Sequence, residues 1–245
     1  MHTPFLLLLL LLLPFLAVLT GAIPYTDLKT NISYSAFFDT TTTGYSFGIA
    51  LPLNATSGDF IGLVTGKGTG WSGTSLGGAM TNKLLIAAWP SGKTVLSSFR
   101  KIARYGSPPE VTGAFTLLPI ANGTYTNSTH WSLTFLCKAC LLTDGTTISR
   151  TAATDMLGWA YSSSPPATPA SKATTFSKHG AQGQYAANLT AARKASDGKK
   201  FPILIERPFP TFVLDSASLA AFSLQPSQSV KDAFKTCGIL NSFRI

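Results

Sequence analysis

The stretch Gly70–Gly92, GWSGTSLGGAMTNKLLIAAWPSG, changes character halfway along its length. Its first half is small and polar, and Met80 follows Leu76, Gly77, Gly78 and Ala79. Its second half, from Leu84 to Pro90, is a continuous apolar run of the kind that forms a buried strand. Ser91, Gly92 and Lys93 then separate it from Thr94 to Arg100, a second strand-like run, so the two together read as a β-hairpin. A methionine normally fills gaps inside an apolar core, and one set among glycines needs another reason. Small residues let a flat group approach the backbone closely. A thioether at the mouth of a buried strand is therefore a rigidly placed candidate ligand for a haem iron.

Outward from this hairpin, short runs rich in Tyr, Phe, Ile, Val and Thr are punctuated by Gly, Pro, Asn and Asp roughly every ten residues. They predict strands over Ile32 to Phe38, Tyr45 to Leu51, Phe60 to Thr65, Phe115 to Leu118, His130 to Cys137 and Met156 to Ser162. The fold class is all-β, an immunoglobulin-like antiparallel β-sandwich, because no strand–helix alternation suggests a parallel sheet. Residues 162–173, SSSPPATPASKA, predict an extended, proline-stiffened surface excursion. Such a loop can carry a ligand in from outside the sandwich, and it ends just before Phe176 and His179. A short helix is expected from Leu189 to Lys194.

The chain opens with an almost all-leucine segment, Phe5 to Leu19, followed by the small residues Thr20, Gly21 and Ala22. This reads as a signal peptide over residues 1–22, too short for a comfortable membrane span. One large β domain over residues 23–198 and a tail over 199–245 follow. The tail has apolar patches, a possible helix from Val230 to Thr236, and no function that the residues assign. Five sequons, at Asn31, Asn54, Asn122, Asn127 and Asn188, agree with a secreted, extracellular glycoprotein. The formal charge is +9, yet charged residues make up only 12% of the chain and the basic ones are scattered. That balance favours acidic partners at low salt and argues against nucleic acid. Arg100, Lys101 and Arg104 read as a solvated face.

The string WSGTSLGGAMTNKLLIAAWPSGKTVLSS resembles the haem b cytochrome domain of cellobiose dehydrogenase, a fungal secreted, DOMON-like electron-transfer or iron reductase domain. HWSLTFLCKAC resembles that family's paired-cysteine strand, MLGWAYS a later core strand, and FSKHGAQGQYAANLTAAR the segment bearing the second axial ligand. Four motifs in the right order cover most of the chain from about Tyr34 to Arg193. The resemblance implies a sandwich whose long loops form a pocket for haem b, with Met80 and His179 as axial ligands of the iron. Larger relatives continue into a flavin-containing sugar dehydrogenase or a membrane cytochrome, and the match here fades beyond Ser196. It further implies electron transfer from a flavin oxidoreductase or small reductant. A copper polysaccharide monooxygenase, ferric iron or a quinone would accept the electron, and the domain itself would be a monomer.

The residue inventory agrees with that ligand pair. Beyond the leader the chain offers only His130 and His179, and only Met80 and Met156. His130 begins an alternating strand beside the Asn127 sequon and reads as a solvent-facing strand start. Met156 precedes Leu157, Gly158 and Trp159 in an apolar strand and reads as core. Two protein ligands would fill both axial positions, which favours a carrier over a peroxidase, and a His–Met pair raises the reduction potential.

The haem should be non-covalent, since Cys137-Lys138-Ala139-Cys140 is followed by Leu141 where a c-type attachment needs His. Given export, the two cysteines read as a structural disulfide; a redox pair would sit where a strand meets a helix. Cys237 is left over. The ten acidic residues are dispersed and no G-x-S-x-G elbow occurs. Paired glycosidase carboxylates would meet only in the fold, so the sequence leaves them open. The alternative reading is a haem-free secreted carbohydrate-binding sandwich that uses Trp71, Trp89, Trp131 or Trp159, although most of these alternate with apolar strand positions.

Overall fold

The computed structural model describes residues 21–194, all within one compact unit. The expected leader and the expected tail helix from Val230 to Thr236 lie outside the described residues. Among the described residues twelve strands form two antiparallel sheets. The first sheet contains β1 (Ile23–Thr26), β2 (Ser33–Phe38), β3 (Ser46–Ala50), β4 (Phe60–Lys67), β10 (His130–Lys138) and β8 (Thr116–Pro119) in that order, with β9 (Tyr125–Thr126) also pairing β10. The second runs β12 (Ala181–Asn188), β11 (Thr154–Ser162), β5 (Trp71–Ser75), β6 (Leu85–Ser91) and β7 (Thr94–Arg100). A single helix among the described residues, α1 (Leu189–Lys194), follows β12.

Alternation decides which side chains enter the core. On β10, Trp131, Leu133, Phe135 and Cys137 join the central cluster with Phe47, Ile49 and Val64 of the same sheet. From the facing sheet come Ile86, Ala88, Leu157, Tyr161 and Tyr185. Two of the β10 rings lie against glycines on β4, through the pairs Trp131↔Gly66 and Phe135↔Gly62. A Cβ on Gly62 would stand 2.2 Å from the Phe135 ring and one on Gly66 2.4 Å from Trp131, so the rings occupy space that any other residue would fill. The intervening Ser132 and Thr134 are also buried, because the 3₁₀ turn Ala121–Gly123 lies over them; both hydroxyls donate to the Gly123 carbonyl, at 3.0 and 3.2 Å.

The hairpin predicted over 84–100 is present, with Leu85 opposite Arg100 and Ser91 opposite Thr94. Every strand expected from the sequence is found, within a few residues at its ends, and the helix occupies its predicted span. Four strands were not expected, β1, β5, β9 and β12. β5 reads WSGTS and β12 reads AQGQYAAN, both poor in the β-branched and aromatic residues that mark strands, and both are held by pairing with β11 on its two sides.

Two readings of individual residues are corrected. Met156, expected in the core, is 42% exposed; it lies on the outer side of β11, and its Cβ packs beside Gly78. Arg100, expected on a solvated face with Lys101 and Arg104, is only 1% exposed. The cause lies in a third layer. Residues 105–110 and 163–180 fold over the outer face of the second sheet, where Phe176 packs with Trp71, Ala87, Trp89 and Leu96, while Val111 and Phe115 turn into the inter-sheet core.

Candidate functional site

Beneath that third layer is a cavity of about 400 Å³ on the second sheet. Its floor is a patch of small residues, Gly73, Ser75, Ala87, Gly158 and Ala160. Strand register puts them side by side, through Gly73↔Ala87, Ala160↔Gly73 and Gly158↔Ser75. A flat, rigid ligand can lie on such a floor, because no side chain rises from it. Trp71, Phe176 and Arg100 supply walls, and Tyr105, 85% exposed, stands at the mouth. Both Met80 and His179 line this one cavity.

Met80 sits in the turn between β5 and β6, and that turn is tied down at each step. Gly78 has a φ of +82°, a left-handed conformation that glycine adopts without penalty. Its carbonyl approaches Gly158 so closely that a Cβ there would lie 2.1 Å from the oxygen. The same carbonyl accepts a hydrogen bond from Gln184 Nε2 at 3.0 Å, and Ser75 Oγ donates to the Ala79 carbonyl at 2.5 Å. Strands β5, β11 and β12 thus jointly hold the Met80 turn, and two of these are strands the sequence did not announce.

His179 arrives from the opposite side, on the segment leading into β12. Gly180 N donates to the Tyr161 carbonyl at 2.9 Å and fixes the point of entry. The imidazole stands edge-on to Trp71, with centroids 6.4 Å apart and planes at 76°. Burial, then the neighbouring Lys178 charge, push its pKa below the ordinary histidine value. The ring is therefore kept neutral near pH 7, the form in which a nitrogen lone pair can bind a metal.

Arg100 closes the wall behind it. Its Nε donates to Ser98 Oγ at 2.7 Å, and one terminal nitrogen donates to the carbonyls of Pro108 and Thr174 at 3.0 and 2.9 Å. The other donates to the Lys172 carbonyl. One guanidinium thus joins both covering segments to β7, and it lies 4.6 Å from the Phe176 ring centroid. Phe176 in turn packs against Trp71 and Trp89, at 5.1 and 5.3 Å, and Trp89 Nε1 donates to the Pro169 carbonyl at 2.7 Å. The proline-rich excursion is anchored rather than free. Nothing in the local sequence marks Arg100 for this role, since its partners are carbonyls far along the chain.

The other sequence candidates fall as follows. Cys137 and Cys140 form a disulfide with a 5.6 Å Cα separation. His130 is exposed, its Nδ1 2.9 Å from Thr129 Oγ1, and far from the cavity floor on β10 of the other sheet. All five sequon asparagines are exposed. None of the four tryptophans is exposed; Trp89 and Trp131 are fully buried, while Trp71 and Trp159 line the cavity. Among the described residues no helix is long and apolar enough to cross a membrane, and no group of three His, Cys, Asp or Glu side chains converges as a metal site.

Comparison with known proteins agrees with this architecture. The crystal structure of the cytochrome b domain of pyranose dehydrogenase from Coprinopsis cinerea superposes with a TM-score of 0.64 at 29% identity, covering 72% of this chain and 92% of that one. The cytochrome domain of Myriococcum thermophilum cellobiose dehydrogenase gives a TM-score of 0.62 at 30% identity, covering 72% and 96%. A pyrroloquinoline quinone-dependent pyranose dehydrogenase from Coprinopsis cinerea is 31% identical over 174 residues, 68% of this chain. The matched part is 23% of that relative's length, so the chain spans about a quarter of it. Residues 25–197 match the family described as the cytochrome domain of cellobiose dehydrogenase, and the chain belongs to that family.

Proposed function

We propose that this is a secreted b-type cytochrome domain that passes single electrons through a haem held between Met80 and His179. The observation that carries the reading is that a soft thioether and a neutral imidazole, on loops from opposite sides, line one cavity whose floor is built of glycine, alanine and serine. That donor set and that cradle suit haem b. When bound, the haem supplies a reversible one-electron iron couple.

The chain's own residues bind, orient and shield. Gly78, Gly158 and Gln184 hold the backbone of the turn that carries Met80, whose sulfur would serve as one ligand, and the Trp71–Phe176–Trp89 cluster keeps water from the interior side. Burial of His179, and then the neighbouring Lys178 charge, favour the unprotonated imidazole. Arg100 places a positive charge in the wall, hydrogen-bonded to neutral oxygens and partly offset by the nearby Glu110 carboxylate, and the net cation would favour the reduced, less positive iron. Tyr105 and the exposed mouth give a redox partner short access to the site. The donor would be a flavin or quinone oxidoreductase or a small reductant, and the acceptor a copper polysaccharide monooxygenase, ferric iron or a quinone. The apolar leader, the exposed sequons and the disulfide support export.

The test is the absorption spectrum of the purified chain beside Met80→Ala and His179→Ala. Wild type is expected red, with a Soret band and sharp reduced α and β bands, and each variant is expected to lose the six-coordinate, low-spin pattern. Unchanged six-coordinate bands in both variants would remove this ligand assignment, while a colourless wild type reconstituted with haem would remove the cytochrome reading itself.

A further inference from the structure

The outer face of the first sheet, away from the Met80–His179 cavity, carries a groove of about 280 Å³ that the electron-transfer reading does not use. It is lined by Tyr25, Phe38 and Tyr125 together with Asp27, Asp39 and His130. Tyr25 and Phe38 meet edge to face with centroids 5.2 Å apart. Aromatic rings beside carboxylate and imidazole groups match a pyranose, whose C–H face is apolar and whose rim is polar.

The turn at the edge of this groove, Asn127 to His130, supplies an occupant. Asn127 is exposed, and its Oδ1 accepts hydrogen bonds from Thr129 N at 2.9 Å, Thr129 Oγ1 at 3.1 Å and His130 N at 2.7 Å. The turn is closed by Asn127 N donating to the His130 carbonyl at 2.9 Å. Nδ2, the atom that carries an N-linked sugar, takes no part in these bonds, so the turn survives modification. Pairing of Tyr125 with Ser132, and of Asn127 with His130, puts Tyr125 and Asn127 on the same side of the hairpin, two residues apart. At the other four sequons the residue two positions upstream is Lys29, Pro52, Ile120 or Ala186. Asn54 forms a similar turn with Thr56 but has no aromatic ring two positions upstream.

We infer that Asn127 bears an N-linked glycan whose first N-acetylglucosamine stacks on Tyr125 and seats in this groove. The Tyr125 ring already attracts positively polarised hydrogen, since Lys29 Nζ lies 3.3 Å from its centroid. The pyranose C–H face has the same polarity and lies closer along the chain, and the displaced ammonium of exposed Lys29 returns to water. Glycan on this side leaves the cavity on the other sheet uncovered.

The inference rests on export, so secretion from a eukaryotic host is scored first, followed by glycopeptide mass spectrometry of the full chain. Thermal midpoints are then compared for wild type, Tyr125→Phe and Tyr125→Ala, each with glycans intact, trimmed to one N-acetylglucosamine, and fully removed. Asn127 is expected to be occupied. The midpoint should hold on trimming and drop by a few degrees on removal of the last sugar in wild type and Tyr125→Phe, with the drop from Asn127 lost in Tyr125→Ala. The other sequons are common to all three chains and cancel. A secreted chain with Asn127 bare, or an equal drop in all three proteins, overturns the berth while leaving export standing. A chain found only inside the cell overturns both.

Discussion

Gly78 and Gly158 meet backbone to backbone, with the Gly78 carbonyl oxygen 2.1 Å from where a Cβ on Gly158 would stand. The contact joins the Met80 turn to β11, and it exists only because residue 158 has no side chain. Gly158→Ala must push the turn away from the sheet. The expected cost is about 1–3 kcal/mol, as for other overpacked sites, and haem retention should fall with it. Gly92→Ala is the control. Its φ of +59° strains an alanine, but nothing lies within 4 Å, so it should lose about 1 kcal/mol with an unaltered haem spectrum. Denaturant midpoints and Soret absorbance after dialysis report the two effects separately.

Replacing Arg100 by Met removes the group that satisfies the carbonyls of Pro108, Thr174 and Lys172. A loss of about 2–3 kcal/mol is expected, since buried acceptors are left unpaired. Arg100→Lys should recover only part, because an ammonium cannot span both covering segments with a planar fork. Hydrogen exchange should quicken in residues 105–110 and 163–180 and stay slow in the first sheet; uniform quickening would show that Arg100 does not act as the clamp.

The lowered pKa of His179 fixes the sign of a pH effect. Above the ordinary value of about 6.5 both folded and unfolded chains hold a neutral ring, and the full stability is present. As pH falls below it, the unfolded chain takes up a proton that the folded chain resists, so stability declines until the folded-state pKa is passed. Haem-free wild type should therefore lose thermal midpoint faster than His179→Gln between about pH 7 and pH 5. Parallel slopes would mean that the ring is not held neutral by the fold. With His179 as the proposed ligand, the same proton would compete with the haem iron, and acid should then convert the six-coordinate spectrum.

The Cys137–Cys140 bridge spans a sequence separation of three, so it constrains little chain. A ring this short stabilises by about 2 kcal/mol on chain-entropy grounds. The double variant Cys137→Ala with Cys140→Ala should lower the midpoint by roughly 4–8 °C. The haem spectrum should not change, because neither cysteine lines the cavity. A spectral change would tie the bridge to the site rather than to the strand end.

Much of this molecule was legible along the chain. Period-two alternation in HWSLTFLCK, the continuous run LLIAAWP and the turn Ser91–Lys93 dictate strands and a hairpin by local chemistry alone. The scarcity of His and Met narrows the ligand candidates before any fold is known. What the sequence could not state is which strands lie beside which. β5 and β12 carry too few strand-forming residues to be read as strands, yet their pairing with β11 aligns Gly73, Gly158 and Ala160 into a floor. Arg100 looked like one more surface cation because its stabilising partners, the carbonyls of residues 172 and 174, are brought near only when the covering segments fold over β7. Local propensity acts between neighbours in sequence; the cavity is set by register and by long-range hydrogen bonds, and those are decided only once the sheets have assembled.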